Sequence, residues 1–345
     1  MKRNMRKWMY SLAGCAERKA MPILSFPGIT LLRNTGVLDV VTDGRRQFES
    51  MKALADRYDT AASVSLMDLS VEAEAFGSPV TFSDQEVPSV SGRIIHNMKE
   101  AEALAVPDVG TARTGESLRA IRLAVRHIQD RPVLAGVIGP FSLAARLMDM
   151  TEIMVASLTE PDLVHAVLEK TTAFLARYMQ AYKDTGANGV IMAEPAAGLL
   201  SPEMCDEFSS RYMKSLVNAV QDDTFMVILH NCGNALPLVP SMLSTGAMGL
   251  HFGNAVNMTD ILPMIPWGRV ALGNIDPARI LRNGTVRQVE TATRELLEKT
   301  AQYRHFVLSS GCDIPPATPH RNIQAFFDAL KDFNGEMSEA SQESA

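Results

Sequence analysis

The sequence predicts a single (β/α)8 barrel, in which eight parallel strands form a closed ring inside a layer of helices. Short apolar runs alternate with longer segments of helical periodicity along most of the chain. The runs are almost continuously apolar, as expected of parallel strands that are buried on both faces. Eight such alternations are the number that a barrel of this class requires.

The predicted elements follow from this alternation in chain order. The candidate strands are 22–26, 62–67, 133–138, 189–193, 225–229, 248–252, 270–274 and 306–310. The candidate helices are 43–58, 115–130, 161–185, 202–221, 285–303 and 319–331. Several helices have recognisable starts, for example Ser201 directly before Pro202 and Glu203, because a serine at the cap and a proline in the first turn favour initiation.

One region, residues 77–111, departs from the alternation. Its segment GSPVTFSDQEVPSV contains two short extended pieces on either side of a polar turn. This pattern is typical of a hairpin. We therefore expect an inserted hairpin and loop after strand two, near the mouth of the barrel.

The two ends of the chain require separate interpretation. Basic residues precede WMYSLAGC, so the start resembles a lipoprotein-type signal with cleavage at Cys15. The apolar stretch 8–13 is shorter than the roughly 7–15 residues of a signal core and is closely flanked by charges, which favours an amphipathic first helix. Residues 334–345 are predicted to be a disordered acidic tail, which leaves 1–333 as the barrel domain.

Composition excludes several classes of protein. The chain has 345 residues, of which 46% are hydrophobic and 21% charged, and a net charge of -6, so it lacks the basic footprint of a nucleic-acid-binding protein. No segment reaches the ~18 apolar residues of a membrane span. Four cysteines in a chain of this length do not form a disulfide framework, and we expect a cytoplasmic protein.

Polar residues follow the predicted strands, at the end where barrel enzymes place their chemistry. Asp68 follows strand two and Glu194 follows strand four, and these are the candidate catalytic residues. Glu194 is either a fourth metal ligand or a proton-handling group. Asn254 follows strand six, and Asn274 and Asp276 follow strand seven; they are the candidate cofactor-binding residues. For all five residues, helix capping and loop solvation are competing explanations.

His230 and Cys232 form the most informative motif, LHNCGN, at the end of strand five. Residues i and i+2 of an extended segment point the same way, so that both can bind one metal ion. Cys312, which follows strand eight in SSGCDI, supplies a third ligand. Zinc held by two sulfurs and one imidazole keeps a fourth position open, as in catalytic sites. His251, within strand six, is either near this site or a satisfied core histidine.

Several longer segments together carry a family resemblance. They are MDLSVEAEAFGSPVTFSDQEVP (67–88), IGPFSLAARLM (138–148), EPAAGLLSPEMCDEF (194–208), LHNCGNALPLV (229–239), GNIDP (273–277) and SSGCDIPPATPHRNIQAF (309–326). With them the chain resembles the uroporphyrinogen decarboxylase superfamily over about residues 3–331. Within it, the chain is similar to the cobamide-dependent methyltransferase branch, which includes the methylcobamide:coenzyme M methyltransferases.

The resemblance implies specific ligands and a specific substrate class. The branch's zinc signature, His-x-Cys followed by a distant cysteine, corresponds to His230, Cys232 and Cys312. In the decarboxylases an arginine-rich segment after the first strand binds substrate carboxylates. Here that place has FPGITLLRN, which argues against a porphyrinogen substrate.

The implied reaction moves a methyl group from a methylcobamide to a thiol such as coenzyme M. Zinc keeps a bound thiol deprotonated, whereas a free thiol has a pKa of about 8.5. The corrinoid is expected on a separate carrier protein that docks over the barrel mouth, against the Gly28 loop and the insertion 77–111.

Two alternatives remain at this stage. In the first, the enzyme works in the opposite direction and demethylates methanol, a methylamine or a methoxylated aromatic onto cob(I)amide. In the second, the chain is a non-catalytic zinc-binding subunit. The sequence does not identify the thiol, the methyl donor, the corrinoid partner or the oligomeric state.

Overall fold

A computed structural model describes residues 3–15 and 17–343 and confirms the barrel class. Seven parallel strands form one curled sheet in the order β1, β4, β5, β6, β7, β8, β9, and β2 and β3 form a separate pair. The strands are β1 Ser63–Val64, β2 Val80–Thr81, β3 Ser89–Val90, β4 Val133–Ile138, β5 Gly189–Ala193, β6 Met226–Asn231, β7 Gly249–Phe252, β8 Val270–Ile275 and β9 Phe306–Ser310.

Helices alternate with these strands and cover the outside of the sheet. The α-helices are α1 Met5–Gly14, α2 Val37–Thr42, α3 Gly44–Arg57, α4 Val71–Ala75, α5 Met98–Ala103, α6 Thr114–His127, α7 Pro140–Met148, α8 Met150–Thr159, α9 Pro161–Asp184, α10 Pro202–Cys205, α11 Arg211–Val220, α12 Val239–Ser244, α13 Met258–Ile261, α14 Val286–Lys299 and α15 His320–Glu343. A π-helical turn, Asp206–Ser210, joins α10 to α11. The predicted helix 202–221 is therefore interrupted by one wide turn.

The predicted first strand, 22–26, is wrong. The chain there makes an isolated parallel bridge, Ala20 to Leu308, and then enters a 3-10 helix at Phe26–Leu31. Pro22 has no amide hydrogen to contribute to a ladder, and the amide of Ile23 donates to the Ser310 side chain instead of to a neighbouring strand.

The segment 19–23 nevertheless closes the ring between β9 and the residues before β1. The amide of Met21 donates to the Leu308 carbonyl at 2.8 Å, and the amide of Ala61 donates to the Ala20 carbonyl at 2.8 Å. This segment therefore takes the place of an eighth strand with few ladder hydrogen bonds.

The amphipathic first helix is confirmed and seals one end of the barrel. Asn4 caps α1 by accepting from the Lys7 amide at 2.8 Å. The buried face of α1 carries Met5, Met9 and Ala13, which belong to the same apolar cluster as side chains from inside the ring. Burial of this face is the main reason that a ten-residue helix is stable here.

The predicted hairpin is also confirmed. β2 and β3 pair antiparallel, with Val80 opposite Val90. The connecting turn rests against the start of α2, because the Val37 amide donates to the Asp84 carbonyl at 3.0 Å. The insertion follows β1, and it therefore lies on the side of the sheet where the parallel strands end.

Disorder is predicted for residues 334–345, but most of this stretch is helical in the structure. Helix α15 includes residues 334–343, while residues 344 and 345, like residues 1 and 2, lie outside the described part. Glu, Ser, Gln and Ala in this stretch allow a helix to continue, and Glu336 forms an ion pair with Arg294 of α14. Among the described residues, every helix is too short or too polar to cross a lipid bilayer.

We expect the Met9→Ala variant to lower the free energy of unfolding by about 2–5 kcal/mol, because it leaves a cavity under the barrel. Met9 is 1% exposed. Urea denaturation followed by circular dichroism measures the change, with the exposed Lys7→Ala on the same helix as the control. Equal midpoints for the two variants would show that α1 does not contribute to the core.

Candidate metal centre

The structure brings His230, Cys232 and Cys312 together at the carboxyl ends of the strands. His230 lies in β6, Cys232 directly follows that strand, and Cys312 comes two residues after β9. The imidazole nitrogen and the two sulfurs lie within 4.8 Å of one another. His230 is buried, and both cysteines are partly buried. These residues form one cluster, although their role as metal ligands remains a prediction.

The loop that carries Cys232 is held from both sides. Asn231 donates from its side-chain amide to the Glu194 carbonyl at 3.1 Å and accepts from the Gly233 amide at 2.9 Å. The backbone at Gly253 passes so close that a Cβ there would lie 2.4 Å from the Cα of Cys232. Only glycine fits at that position, and the cysteine is placed by backbone contacts on two neighbouring strands.

A chain of hydrogen bonds extends from His230 through the barrel interior. Its Nδ1 lies 2.8 Å from Nδ1 of His251, and Nε2 of His251 lies 2.8 Å from the Ser309 hydroxyl. That hydroxyl donates to the Met21 carbonyl at 2.8 Å. His251 is therefore both buried in the core and in contact with the candidate site, so both sequence interpretations apply to it.

The other ring nitrogen of His230 has no partner. Nε2 of His230 is buried and forms no hydrogen bond within the described structure. An unpaired buried polar atom is costly unless something binds it. Here the orphan nitrogen belongs to the same cluster as two sulfurs, which is the soft donor set that suits zinc. The residues therefore fit a zinc ion with three protein ligands.

The two thiols influence each other's protonation. Cys312 first, and then His230, lowers the pKa of Cys232, whereas Cys232 together with burial raises the pKa of Cys312. One thiolate consequently forms readily in the metal-free cluster, while the second proton is held more firmly. A divalent cation that binds here must displace that second proton.

Glu194, one of the two candidate catalytic residues, lies outside this cluster. Its carboxylate accepts from the amides of Phe141 and Ser142, at 2.8 Å and 3.3 Å, at the start of α7. A Cβ at Gly139 would lie 1.8 Å from Oε2 of Glu194, so the carboxylate occupies the space that glycine leaves. Burial raises the pKa of Glu194 to about 7. The carboxylate caps a helix, and the Glu194 amide supports β6 by donating to the His230 carbonyl at 2.9 Å.

Asp68, the other candidate, is engaged in an ion-pair network. It pairs with Arg113, which also pairs with Glu74 at 2.6 Å. Asp68 further accepts from the amide and hydroxyl of Ser70, at 3.0 Å and 2.6 Å. The guanidinium of Arg113 also lies over the Phe82 ring, 4.8 Å from its centroid. Through Arg113 and its contact with Phe82, Asp68 connects the segment after β1 to the insertion.

The candidate cofactor-binding residues are placed at the mouth but are partly occupied by local contacts. Asn274 donates to the carbonyls of Gly253 and Val256, at 2.9 Å and 2.8 Å. Asp276 caps the π-helical turn Pro277–Arg282 by accepting from two amides. Asn254 is exposed next to the backbone of Gly311. Of the three, Asn254 has the side chain that is most accessible to a ligand.

Two buried carboxylates were not among the candidate catalytic residues, although the sequence places Asp313 after the last predicted strand. Asp313 accepts from the Ser25 hydroxyl with both oxygens, at 2.9 Å and 3.0 Å, and removal from water raises its pKa to about 8. Glu72 accepts from the Ile138 amide at 3.1 Å, while its Oε2 is buried without a partner. Both belong to motifs quoted above for the family resemblance, which was the only signal for Glu72.

Glu72 faces a small polar cavity. Its neighbours there include Gln47, Ser117, Tyr178 and Tyr182, around a volume of about 10 Å³, which is near the least that holds a water molecule. Burial first, and then the charge of Asp68, raises the pKa of Glu72 to about 7.

Comparisons with known proteins agree on the family. The family model described as uroporphyrinogen decarboxylase (URO-D) matches residues 18–333. A methylcobamide:CoM methyltransferase MtbA of Methanosarcina acetivorans is 28% identical over 294 residues, which is 83% of this chain and 85% of that protein. A uroporphyrinogen decarboxylase of Prochlorococcus marinus is 29% identical over 252 residues, which is 70% of this chain and 69% of that protein.

Solved structures show the same fold. A structure described as a methyltransferase from Methanosarcina mazei has a TM-score of 0.85 at 23% identity and covers 96% of this chain and 99% of its own. A B12-independent methionine synthase from Shewanella has a TM-score of 0.61 at 11% identity and covers 95% of this chain and 98% of its own. At these identities the similarity establishes the architecture.

We expect the Glu72→Gln variant to change how stability depends on pH. A carboxyl with a folded-state pKa near 7 and an unfolded value near 4.5 stabilises the folded state at low pH, and that contribution is lost as pH rises through 7. Between pH 5 and 8 the free energy of unfolding of the wild type should therefore fall by about 2–3 kcal/mol relative to the variant.

Chemical denaturation at a series of pH values measures this difference. Glu194 is present in both proteins, so its own titration cancels. The exposed Glu169→Gln serves as the matched control and should follow the wild type. Parallel stability profiles for the wild type and Glu72→Gln would mean that Glu72 is not held neutral.

Proposed function

The chain belongs to the uroporphyrinogen decarboxylase family, and from this premise we propose that it is a zinc-dependent methyltransferase that moves a methyl group from a methylated corrinoid to a thiol. The observation that carries the proposal is the cluster of His230, Cys232 and Cys312, whose donor atoms lie within 4.8 Å of one another. Two sulfurs and an imidazole bind zinc with one coordination position left for a substrate.

One segment of the chain supports a methyltransferase over a decarboxylase. Both kinds of protein match this chain with 28–29% identity, so identity alone does not separate them. The segment at the start of the barrel does. It begins with the 3-10 helix Phe26–Leu31, whose buried residues include Phe26 and Ile29. The whole segment FPGITLLRN has a single arginine, Arg33, where a substrate with many carboxylates would need several.

The chain's own residues account for most of the proposed chemistry. His230 holds one side of the site through its Nε2, and Cys232 and Cys312 hold the other side as thiolates. A zinc ion bound there would act as the Lewis acid that keeps a substrate thiol deprotonated at neutral pH. Two anionic sulfurs lower the net charge of the site, which leaves the substrate sulfur more nucleophilic than a neutral ligand set would.

The reaction balances without a further reagent. The thiolate sulfur attacks the methyl carbon of the methylcobamide, so that a C–S bond forms while the Co–C bond breaks. The electron pair of the Co–C bond stays on cobalt. The products are a methyl thioether and cob(I)amide, and coenzyme M is the thiol that the names of the methyltransferase relatives suggest.

The corrinoid substrate is proposed to arrive on a separate carrier protein. The insertion presents Phe82 and Val87, which are 37% and 38% exposed, and the loop after β5 presents Leu199, which is 67% exposed. All three follow parallel strands and therefore lie on the same side of the barrel as the candidate metal centre. Exposed apolar side chains around an active-site mouth are suited to a transient protein partner.

Removal of one cysteine tests the site. We expect one zinc per chain in the wild type and a parallel loss of zinc and thiol methylation in the Cys312→Ala variant, because the remaining pair binds the metal more weakly. Elemental analysis and an activity assay measure the two quantities. Cys205→Ala, which removes a buried thiol in α10 away from the cluster, is the matched control and should keep both. Full zinc and full activity in Cys312→Ala would refute the assignment.

The direction of transfer is tested with free methylcobalamin. With a small thiol such as coenzyme M, we expect the visible spectrum to change from that of methyl-Co(III) to that of Co(I), with no change when the thiol is omitted. If the protein contains zinc but instead consumes cob(I)alamin together with a methylated alcohol or amine, it works in the opposite direction. If neither reaction occurs, the chain is a binding subunit.

A further inference from the structure

We infer that His251 is a positioning residue which, together with Ser309 and the Met21 carbonyl, holds His230 in the one tautomer whose Nε2 lone pair faces the two cysteines. The inference depends on the proposed function only in taking zinc as the metal. It follows from counting hydrogens along four groups that lie on β6, β7, β9 and the segment that closes the barrel.

The first step fixes the hydrogen on His251. The Ser309 hydroxyl has a single hydrogen, and it donates that hydrogen to the Met21 carbonyl at 2.8 Å. The same oxygen lies 2.8 Å from Nε2 of His251. Since the serine hydrogen is already used, the hydroxyl oxygen must accept, and Nε2 of His251 must be the donor.

The second step fixes the hydrogen on His230. His251 is 0% exposed, and its ring contacts the His230 ring, the Ser309 hydroxyl and the Ser310 backbone, none of which is a carboxylate. A charged imidazole would have no counter-ion in this position, and burial of an unpaired charge is costly. The ring is therefore neutral, and Nδ1 of His251 has no hydrogen. Nδ1 of His230, which lies 2.8 Å from that acceptor, must then be the donor.

The third step concerns the remaining nitrogen. With its hydrogen on Nδ1, a neutral His230 has a bare Nε2, which is the buried atom without a partner beside the sulfurs. In the other tautomer, two Nδ1 lone pairs would face each other and an N–H would point at the site of the metal. That arrangement loses a buried hydrogen bond and blocks coordination, so the chain of contacts selects the metal-competent form.

The chain of hydrogen bonds also links the metal centre to the closure of the barrel. Met21 is adjacent to Ala20, whose bridge to Leu308 joins the first segment to β9. The carbonyl that orients Ser309 is thus available only when the ring is closed. A metal ligand on β6 is in this way oriented by the segment that completes the fold.

Long-range 1H–15N correlation spectra of protein labelled with 15N-histidine test the tautomers directly. We expect a hydrogen on Nδ1 of His230, and on Nε2 but not Nδ1 of His251, in both the metal-free and the zinc-bound protein. This readout does not require activity. A His230 ring without a hydrogen on Nδ1, or a His251 ring that carries one there, would overturn the inference.

Zinc affinity, measured by competition with a chromophoric chelator, tests the consequence. His251→Phe removes both hydrogen bonds and should weaken zinc binding about 10–100-fold. His251→Gln, whose amide offers one acceptor and one donor, should recover part of the loss. Ser309→Ala should weaken binding, whereas Ser157→Ala should not, because the buried Ser157 hydroxyl donates to the Ile153 carbonyl within α8 and is outside the chain of contacts.

The outcomes separate this inference from the proposed function. Equal zinc affinity in folded His251→Phe, Ser309→Ala and the wild type would overturn the positioning role, even if the wild type methylates thiols. Conversely, the predicted tautomers together with a selective loss of zinc in these variants would support it, even if no methyl transfer were found. Equal losses in Ser309→Ala and Ser157→Ala would reduce the effect to general destabilisation of the fold and would also count against the inference.

Discussion

The parallel register of β5, β6 and β7 is the constraint on which the candidate site depends. It pairs Ala193 with His230 and His230 with His251, so that the end of one strand is held on both sides at the same level. The positions of His230 and Cys232 follow from that alignment, while Cys312 reaches the cluster from the end of β9. The ring of His251 can reach His230 only because the two residues are register partners, and Cys232 lies at the mouth only because β6 ends one residue before it.

The polar residues at the strand ends divide into two groups with different tasks. Glu194 and Asp276 satisfy backbone amides at helix starts, and Asp68 balances the charge of Arg113. Such contacts are needed because a barrel buries the ends of many strands and helices, and the amides and carbonyls there would otherwise be unpaired. His230, Cys232 and Cys312 form the second group, whose donor atoms face one another and whose buried nitrogen lacks a protein partner. That difference singles out the second group as the candidate metal centre.

The architecture alone would not have indicated a methyltransferase. Relatives named as decarboxylases and as methyltransferases match the same chain at similar identity, and structures with 11% identity share the barrel. A fold of this kind hosts many reactions, and chemistry must be argued from the side chains at its mouth. In this chain, the sulfur and imidazole donors and the single arginine in FPGITLLRN favour a methyltransferase.

The sequence by itself determined the barrel, the first helix, the inserted hairpin and the three residues of the cluster, because these depend on local periodicity and on where buried strands end. The tertiary structure decided the rest. It replaced the first strand by a bridging segment at Ala20 and continued α15 through residues 334–343. It also assigned Glu194 to a helix cap and joined His251 to Ser309. Each of these outcomes depends on which groups meet across large separations in the chain, and local patterns do not specify hydrogen-bond partners at that range.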